Sequence, residues 1–385
     1  MKLSLMTLGD LVVDPITGTL ASPSERHRSI VEAAVVAEEA GFHGVHVGEH
    51  HGSDYIFSAP PVILAAIAER TSHLTLSTAV TLAANLDPVR VAEDYATVDV
   101  LSGGRCEVVI GRGNFFTSTY RLFGQRTGDS HELFADAVEL LVELWSGKEV
   151  NWPGSRHRAP VEEFVLQPPP VTAVPLWVGG GASEQTAELA ARFGLDLMLP
   201  SVFGDPAKLT PAVDLYREKF RSYGHGREPR VGACWHANVG ETSQSARARW
   251  EPRYRAYHEL MMKTVGRNRK NQQEQPAPPS FVKSLTFDFD TLTTTGPAIV
   301  GSPDEVADRL NHGAELLTAD TNLLYLDLGV CPSASSAAWS NSSANACYRS
   351  LIETRPCAMP IWAEAPVSSR RLVSTGRIRS SAAGG

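Results

Sequence analysis

The sequence contains no run of about 20 apolar residues, the length that a helix needs to cross a membrane. Residues 1–8 are too short, and too soon followed by Asp10, to form a signal peptide. The five cysteines have neither the spacing of a metal site nor an even disulfide framework, which favours a reduced, cytoplasmic setting. The net charge of -8 argues against a nucleic acid or another polyanion as partner. This composition is ordinary for a soluble enzyme.

Short apolar segments alternate with helical patterns along most of the chain. The expected strands are residues 2–8, 45–47, 74–79, 107–111, 175–179, 195–199, 231–239 and 322–328. Capping boxes open two of the helices that lie between them, at Ser22–Glu25 and at Ser302–Glu305. Eight strands that alternate with helices predict an α/β fold, a (β/α)8 TIM barrel of parallel strands. An open, doubly wound sheet is the alternative, because alternation alone does not distinguish the two.

Two stretches interrupt this pattern. Residues 263–298 are polar and predict a long insertion after the seventh strand. From about residue 330 the sequence becomes rich in Ser, Ala and Cys, and no eighth helix is evident. We therefore expect a barrel domain over 1–329 and an atypical, poorly ordered tail over 330–385. The tail is either a disordered extension or the product of a reading-frame shift.

Ionisable side chains follow the second strand, where Glu49, His50 and His51 stand in a row. Parallel barrels place their chemistry at the carboxyl ends of the strands. Neighbouring residues of an extended segment point to opposite sides, so the two histidines are not expected to bind one metal ion. The Gly-x-Ser-x-Gly motif of a serine hydrolase is absent. We expect one histidine to act as an acid, base or hydrogen-bond donor, the alternative being two surface histidines.

Two glycine-rich turns follow the fourth and fifth strands of the pattern. Arg112 lies between Gly111 and Gly113, where a guanidinium suits a phosphate group, although a solvated arginine in a turn is the alternative. Residues 179–186 lead into a helix capped by Ser183, whose free N–H groups and dipole favour an anion. The Walker lysine and the Rossmann spacing are both missing. The pattern therefore favours a phosphate monoester.

Taken together, these motifs resemble the bacterial luciferase-like, FMN-dependent monooxygenases over residues 1–329, in collinear order. The resemblance lies in Gly48–His51, Pro88–Asp94, Asp99–Arg105, Gly111–Gly113, Phe123–Gly124 and Val300–Val306. The fold of that family is a TIM barrel, in agreement with the strand pattern. The chain departs from the family in its tail, at Gly111, where luciferases have a cysteine, and at His46, where relatives commonly have an aromatic residue.

The resemblance also assigns roles to individual residues. It implies that His50 is the catalytic histidine beside the flavin ring. It implies that the backbone of Ala79 and Val80, often joined by a cis peptide in the family, lies against the flavin. The residues that it places around the FMN phosphate are Arg112, Gly180, Gly181, Ala182, Ser183 and Thr186. No metal is implied.

The activity implied by the resemblance is that of a two-component monooxygenase. Reduced FMN, supplied by a separate flavin reductase, would react with O2 to give a C4a-hydroperoxyflavin that oxygenates a small organic substrate. We expect a homodimer with neither a nucleic-acid nor a membrane partner. Two alternatives remain, an F420-dependent hydride-transfer enzyme and an inactive flavin-binding remnant. F420-dependent relatives usually have an Asp-His pair in place of Glu49-His50.

Overall fold

The computed structural model describes residues 1–180, 183–270 and 287–328, apart from the side chains of 266–270. The strands are β1 Lys2–Thr7, β2 Gly44–Val47, β3 Thr75–Thr78, β4 Val108–Gly111, β5 Val150–Trp152, β6 Val161–Phe164, β7 Leu176–Gly179, β8 Asp196–Leu199, β9 Val231–Val239, β10 Ala298–Gly301 and β11 Thr321–Tyr325. The helices are α1 Pro23–Glu39, α2 Pro60–Ala68, α3 Pro88–Ser102, α4 Ser118–Leu122, α5 Ser130–Leu144, α6 Glu184–Arg192, α7 Thr210–Tyr223, α8 Ser243–Lys270, α9 Phe289–Thr294 and α10 Pro303–Leu316.

Eight of these strands form a parallel barrel, in the order β3-β2-β1-β11-β9-β8-β7-β4. The two outer strands of that path, β3 and β4, are joined by isolated parallel bridges from Leu76 to Cys106 and from Thr81 to Ile110. The barrel is therefore nearly closed. The predicted TIM barrel is confirmed with all eight predicted strands present, and the open sheet is wrong because its two edges meet.

The helices begin where the sequence supplies caps. Ser22 accepts a hydrogen bond from the backbone of Glu25, whose carboxylate accepts in turn from the backbone of Ser22, so the first predicted capping box is present. Ser302 caps α10 by accepting from the N–H of Glu305. The α3 helix ends at Gly103, which has the left-handed conformation (φ 70°) that glycine adopts without steric cost. These caps fix where each helix turns back toward the barrel.

The insertion predicted over 263–298 differs from the structure at both ends. It starts within α8, a 28-residue helix that begins at Ser243, and its last residue belongs to β10, which pairs with β9 beside the barrel path. The α8 helix packs through Trp250, Tyr254 and Tyr257, which recur at helical spacing within an otherwise polar sequence. A short antiparallel pair, β5 and β6, is a further element that the sequence pattern did not predict.

Parts of two predictions lie outside the described residues. These are the middle of the insertion, 271–286, and the tail from residue 329 onward. The domain boundary near 329 and the two explanations of the tail therefore stay predictions. Within the described part of the chain, no helix is long and apolar enough to cross a membrane.

Candidate active site

The predicted site residues follow neighbouring strands of the barrel at their carboxyl ends. The parallel register pairs Val47 of β2 with Thr78 of β3, and Gly111 of β4 with Gly179 of β7. The segments that contain His50, Val80, Arg112 and Gly180 therefore emerge at one rim of the barrel. This is the end at which parallel barrels carry their functional groups.

His50 lies half-buried at this rim among aromatic rings. Its imidazole stacks on Tyr55, with ring centroids 4.1 Å apart and planes 15° apart, and Phe116 lies at 5.2 Å. Desolvation lowers the pKa of His50 to about 4, although a hydrogen bond to Gly48 acts in the opposite direction. The imidazole is therefore neutral near neutral pH. Its Nδ1 lies 3.3 Å from the carbonyl oxygen of Gly48. A carbonyl oxygen only accepts hydrogen bonds, so Nδ1 is assigned the proton and Nε2 has the free lone pair.

His51 binds Glu49. Its Nε2 lies 2.6 Å from Oε1 of Glu49, and the second oxygen of that buried carboxylate accepts from the N–H of Leu82 at 2.9 Å. The N–H of Glu49 also donates to the carbonyl of Val80. Glu49 and His51 therefore hold the segment after β3 in place. The two imidazoles have different partners, and the expectation that only one of them faces the site stays a prediction.

The peptide bond between Ala79 and Val80 is cis, as the resemblance implies. The side chain of Val80 lies against two strand ends that have no side chains of their own. A β-carbon built on Gly111 would stand 2.4 Å from Cγ2 of Val80, and one built on Gly179 would stand 2.5 Å from its Cγ1. Val80 therefore occupies the space next to both glycines. This accounts physically for glycine at 111 in a chain with valine at 80.

Arg112 follows β4 and is half-buried without a carboxylate partner among the described residues. Its guanidinium donates to Nε2 of His131, and the hydroxyl of Tyr120 donates to its carbonyl oxygen. Desolvation lowers the pKa of Arg112, and both desolvation and the nearby guanidinium charge lower the pKa of His131. A positive charge of this kind, with only neutral partners, is suited to an anionic ligand.

The segment after β7 leads into a capped helix start. Ser183 caps α6, where its hydroxyl lies 2.9 Å from that of Thr186 and accepts from the Thr186 N–H. Gly180 has φ 151°, and a β-carbon there would stand 2.7 Å from Cγ2 of Thr186, so only glycine fits. Because β4 and β7 are adjacent, Arg112 and the segment that leads to this helix start follow neighbouring strands. Gly181 and Ala182, also predicted here, lie outside the described residues.

His46, whose role the sequence left open, is not at the rim. It is fully buried in β2, its Nδ1 lies 3.3 Å from the carbonyl of Thr78, and desolvation lowers its pKa to about 3. It is a neutral residue of the barrel interior.

Two residues at the rim were not identified from the sequence. They are Tyr55, which stacks on His50, and His131, which contacts Arg112. Glu49 was identified beside the two histidines, but its contacts with His51 and Leu82 were not. His131 stands at the start of α5, and its distance from Arg112 along the chain conceals the contact.

The other end of the barrel has a different character. A cavity of about 380 Å³ there is lined by residues that include Leu176, Asp196, Arg227 and Arg230. Both arginines are paired with Asp196. It lies at the amino ends of β7 and β8, opposite to His50. Among the described residues, no three His, Cys, Asp or Glu side chains come together as a metal site.

The sequence matches a known family over most of its length. The model that describes luciferase-like monooxygenases matches residues 1–320. The chain belongs to the luciferase-like monooxygenase family. It is thus an oxidoreductase of the luciferase-like type, and the resemblance found from the motifs is confirmed.

Individual members of the family are distant from this chain. It is 23% identical to the oxygenase component of the flavin-dependent trigonelline monooxygenase of Acinetobacter baylyi, over 78% of this chain and 83% of that one. It is 29% identical to an F420-dependent glucose-6-phosphate dehydrogenase of Gordonia bronchialis, over 50% of this chain and 56% of that one. The oxygenating constituent of 3,6-diketocamphane monooxygenase of Pseudomonas putida, solved with FMN, has the same fold, with a TM-score of 0.69 and 16% identity over 92% of this chain and 97% of that one. An FMN complex and an F420-dependent enzyme therefore both occur among the proteins to which this chain is similar.

Proposed function

We propose that the protein is the oxygenase component of a two-component monooxygenase, which uses reduced FMN from a separate reductase, and O2, to oxygenate a small organic substrate. The observation that carries the proposal is Arg112, a half-buried arginine with neutral partners, beside the capped start of α6. An FMN phosphate would pair with the Arg112 guanidinium and would accept hydrogen bonds at the start of α6. Reduced flavin, when bound, supplies the electrons that activate O2.

The residues around Arg112 suit a phosphate monoester. The guanidinium offers paired N–H donors, and the Ser183 and Thr186 hydroxyls lie 2.9 Å apart at the positive end of α6. The backbone of Gly180, Gly181 and Ala182 would complete the site. The segment of Ala79 and Val80, in the adjoining part of the rim, would support the flavin ring.

His50 is the proposed catalytic residue. Because Nδ1 donates to the carbonyl of Gly48, Nε2 is available to accept a proton or a hydrogen bond from a reacting group. The depressed pKa keeps this nitrogen free of a proton near neutral pH. The rings of Tyr55 and Phe116 exclude water from the two sides of the imidazole that they cover.

A second candidate is hydride transfer with F420, favoured by the similarity to the F420-dependent dehydrogenase. F420-dependent enzymes usually have an Asp-His pair at the position of Glu49 and His50, and the partners of Glu49 differ from such a pair. The carboxylate of Glu49 is bound by His51 and by the backbone of Leu82, so it does not orient His50. This contrast supports FMN.

Cofactor titration tests the proposal. We expect FMN to bind more tightly than riboflavin and F420 not to saturate the protein. Arg112→Ala should weaken FMN about ten- to a hundredfold, the scale of a lost charge-assisted hydrogen bond, and leave riboflavin unchanged. Equal FMN and riboflavin affinities would place the phosphate elsewhere, and tight binding of F420 alone would favour the second candidate.

The reaction with O2 is tested by mixing photoreduced FMN and O2 in the presence of the protein. We expect the absorbance of oxidised flavin to return more slowly than it does with free FMN. Failure to bind either cofactor would instead point to an inactive remnant.

A further inference from the structure

Five rings at the rim of the barrel contact one another in a row. The row begins with Tyr55, His50 and Phe116, whose contacts are described above. Phe116 packs edge-on against Phe115, with ring centroids 4.8 Å apart and planes 80° apart. Phe115 in turn stacks on Phe203, with centroids 4.9 Å apart and planes 24° apart. We call the three phenylalanines of this row, Phe115, Phe116 and Phe203, the phenylalanine wall.

The row of rings crosses the mouth of the barrel from one side to the other. Its members belong to the loops that follow β2, β4 and β8. In the nearly closed strand order, β2 and β8 are four positions apart by either route, so they lie on opposite sides. The loop after β4 connects them through Phe115 and Phe116. Arg112 precedes Phe115 by three residues, so one loop provides both the proposed phosphate contact and most of the wall.

The phenylalanine wall differs in burial from the aromatic residues on the other side of the mouth. Each of its three residues is half-buried, so part of its surface is open to solvent. Beside β9, by contrast, Tyr254 and Tyr257 of α8 pack on His236 with ring centroids 4.9 and 5.6 Å away. These three side chains are less than a tenth exposed. Helix α8 therefore fills its side of the mouth, and a ligand is expected along the wall.

Phenyl rings that are partly open to solvent suit an aromatic ligand. A stacked or edge-on pair of aromatic rings contributes about two- to tenfold in affinity beyond the area that it buries. The wall already shows both geometries among its own rings. A saturated ring of the same size buries a similar area but has neither the flat face nor the charge distribution of an aromatic ring. The wall should therefore distinguish the two kinds of ring.

We propose that the phenylalanine wall selects the substrate, and that the substrate is an aromatic compound whose ring packs against Phe115 and Phe203. This inference rests on the proposed function, in which the flavin lies against Val80 and His50 meets the reacting group. Phe116 contacts both His50 and Phe115, so a ring held on the wall is brought near the imidazole. The wall thus determines which class of molecule reaches the flavin.

A matched control separates this role from the general loss of an aromatic ring. Phe123 lies in the same connection between β4 and α5, is 39% exposed and packs edge-on against His51 at 4.9 Å. It does not belong to the row. Phe123→Leu makes the same chemical change as Phe115→Leu, so the difference between the two variants isolates the wall.

The experiment measures the binding of two probes by calorimetry, with protein saturated with oxidised FMN and again with flavin-free protein. The probes are 2-naphthol and decahydro-2-naphthol, which share a skeleton and a hydroxyl group and differ in aromatic character. We expect 2-naphthol to bind more tightly than its saturated counterpart. Phe115→Leu and Phe203→Leu should each weaken 2-naphthol about two- to tenfold, the range of one aromatic pair, and leave decahydro-2-naphthol and FMN unchanged. Phe123→Leu should leave all three affinities unchanged.

The outcomes distinguish the wall from the cofactor proposal. Equal affinities for the two probes, no binding of 2-naphthol, or an equal effect of Phe123→Leu and Phe115→Leu would overturn the role of the wall. Displacement of 2-naphthol by FMN would also overturn it, because the wall would then hold the flavin. If FMN does not bind while 2-naphthol binds the flavin-free protein with the expected variant effects, the aromatic preference stands and the proposed function is wrong.

Discussion

The side chain of Val80 fills the space that a β-carbon on Gly111 would occupy, at an approach of 2.4 Å. Val80 follows β3, and Gly111 is the last residue of the neighbouring strand β4. The contact therefore lies within the rim of the barrel where the flavin is proposed to bind. The choice of residue at one position therefore limits the choice at the other.

We expect Gly111→Ala to lower thermal stability and flavin affinity, because Val80 is forced out of its place. An overpacked contact of this kind costs about 1–3 kcal/mol. Val80→Ala removes both methyl groups, so the double variant Gly111→Ala/Val80→Ala should recover most of the loss. Melting temperature and FMN titration on the three variants check this. A double variant that is worse than Gly111→Ala alone would show that Val80 is not what excludes the β-carbon.

His50 and His51 are neighbours in sequence with different surroundings, and their variants should separate accordingly. His50→Ala should leave flavin binding largely intact and lower turnover by about 100-fold or more, the scale of a positioned acid or base. His51→Ala should lower turnover less, but it should lower the melting temperature more, because it leaves one oxygen of the buried Glu49 carboxylate, Oε1, without its partner. Steady-state kinetics and thermal unfolding give both rankings. The opposite ranking in turnover would reassign the catalytic residue.

Much of the fold could be predicted from the sequence, because each barrel strand is a short apolar segment next to a helix with a recognisable cap. The exceptions have physical reasons. Helix α8 has a mostly polar sequence with Pro252 inside it, and only its aromatic stripe marks the buried face. Strand β10 is four residues long and follows a polar stretch, so it was not predicted, and the predicted insertion extended into its first residue, Ala298.

The site was predictable only where it depends on position along a strand. His50, Val80, Arg112 and Ser183 follow strand ends, which the strand pattern locates. The contacts of His50 with Phe116 and of Arg112 with His131 depend on how loops and helices from separate parts of the chain meet. No local pattern contains that information.

Buried neutral histidines should make the protein sensitive to acid. His46 and His236 lie inside the barrel, where desolvation lowers the pKa of each to about 3. In the unfolded chain they take up protons near the usual value of about 6.5. The unfolded state therefore binds more protons below about pH 6.5, and stability is lost as the pH falls from there toward about 3, by up to about 1.4 kcal/mol per pH unit per histidine.

Urea unfolding at about pH 7 and about pH 5 measures this loss, and His236→Phe supplies the control. That variant keeps an aromatic ring among Tyr254, Tyr257 and Tyr325 but has no titrating group. Its midpoint should fall less between the two pH values than that of the unmodified protein. Equal falls would mean that His236 does not stay neutral in the folded state.

The contact between Arg112 and His131 predicts that phosphate binding is coupled to a proton. In the flavin-free protein, desolvation and the charge of Arg112 hold the pKa of His131 below its usual range. A phosphate bound at Arg112 would neutralise that charge and raise the pKa of His131, so the complex takes up a proton. Because the bound state has the higher pKa, the contribution of His131 to FMN affinity should be greatest at low pH and should be lost as the pH rises through the pKa of His131 in the complex.

Isothermal titration in buffers of different ionisation enthalpy measures the protons exchanged on binding. His131→Gln should abolish the uptake and leave only proton release from the phosphate, whose second pKa of about 6 is lowered beside a guanidinium. Riboflavin should show neither effect. Proton uptake that is equal in His131→Gln and in the unmodified protein would separate His131 from the phosphate site.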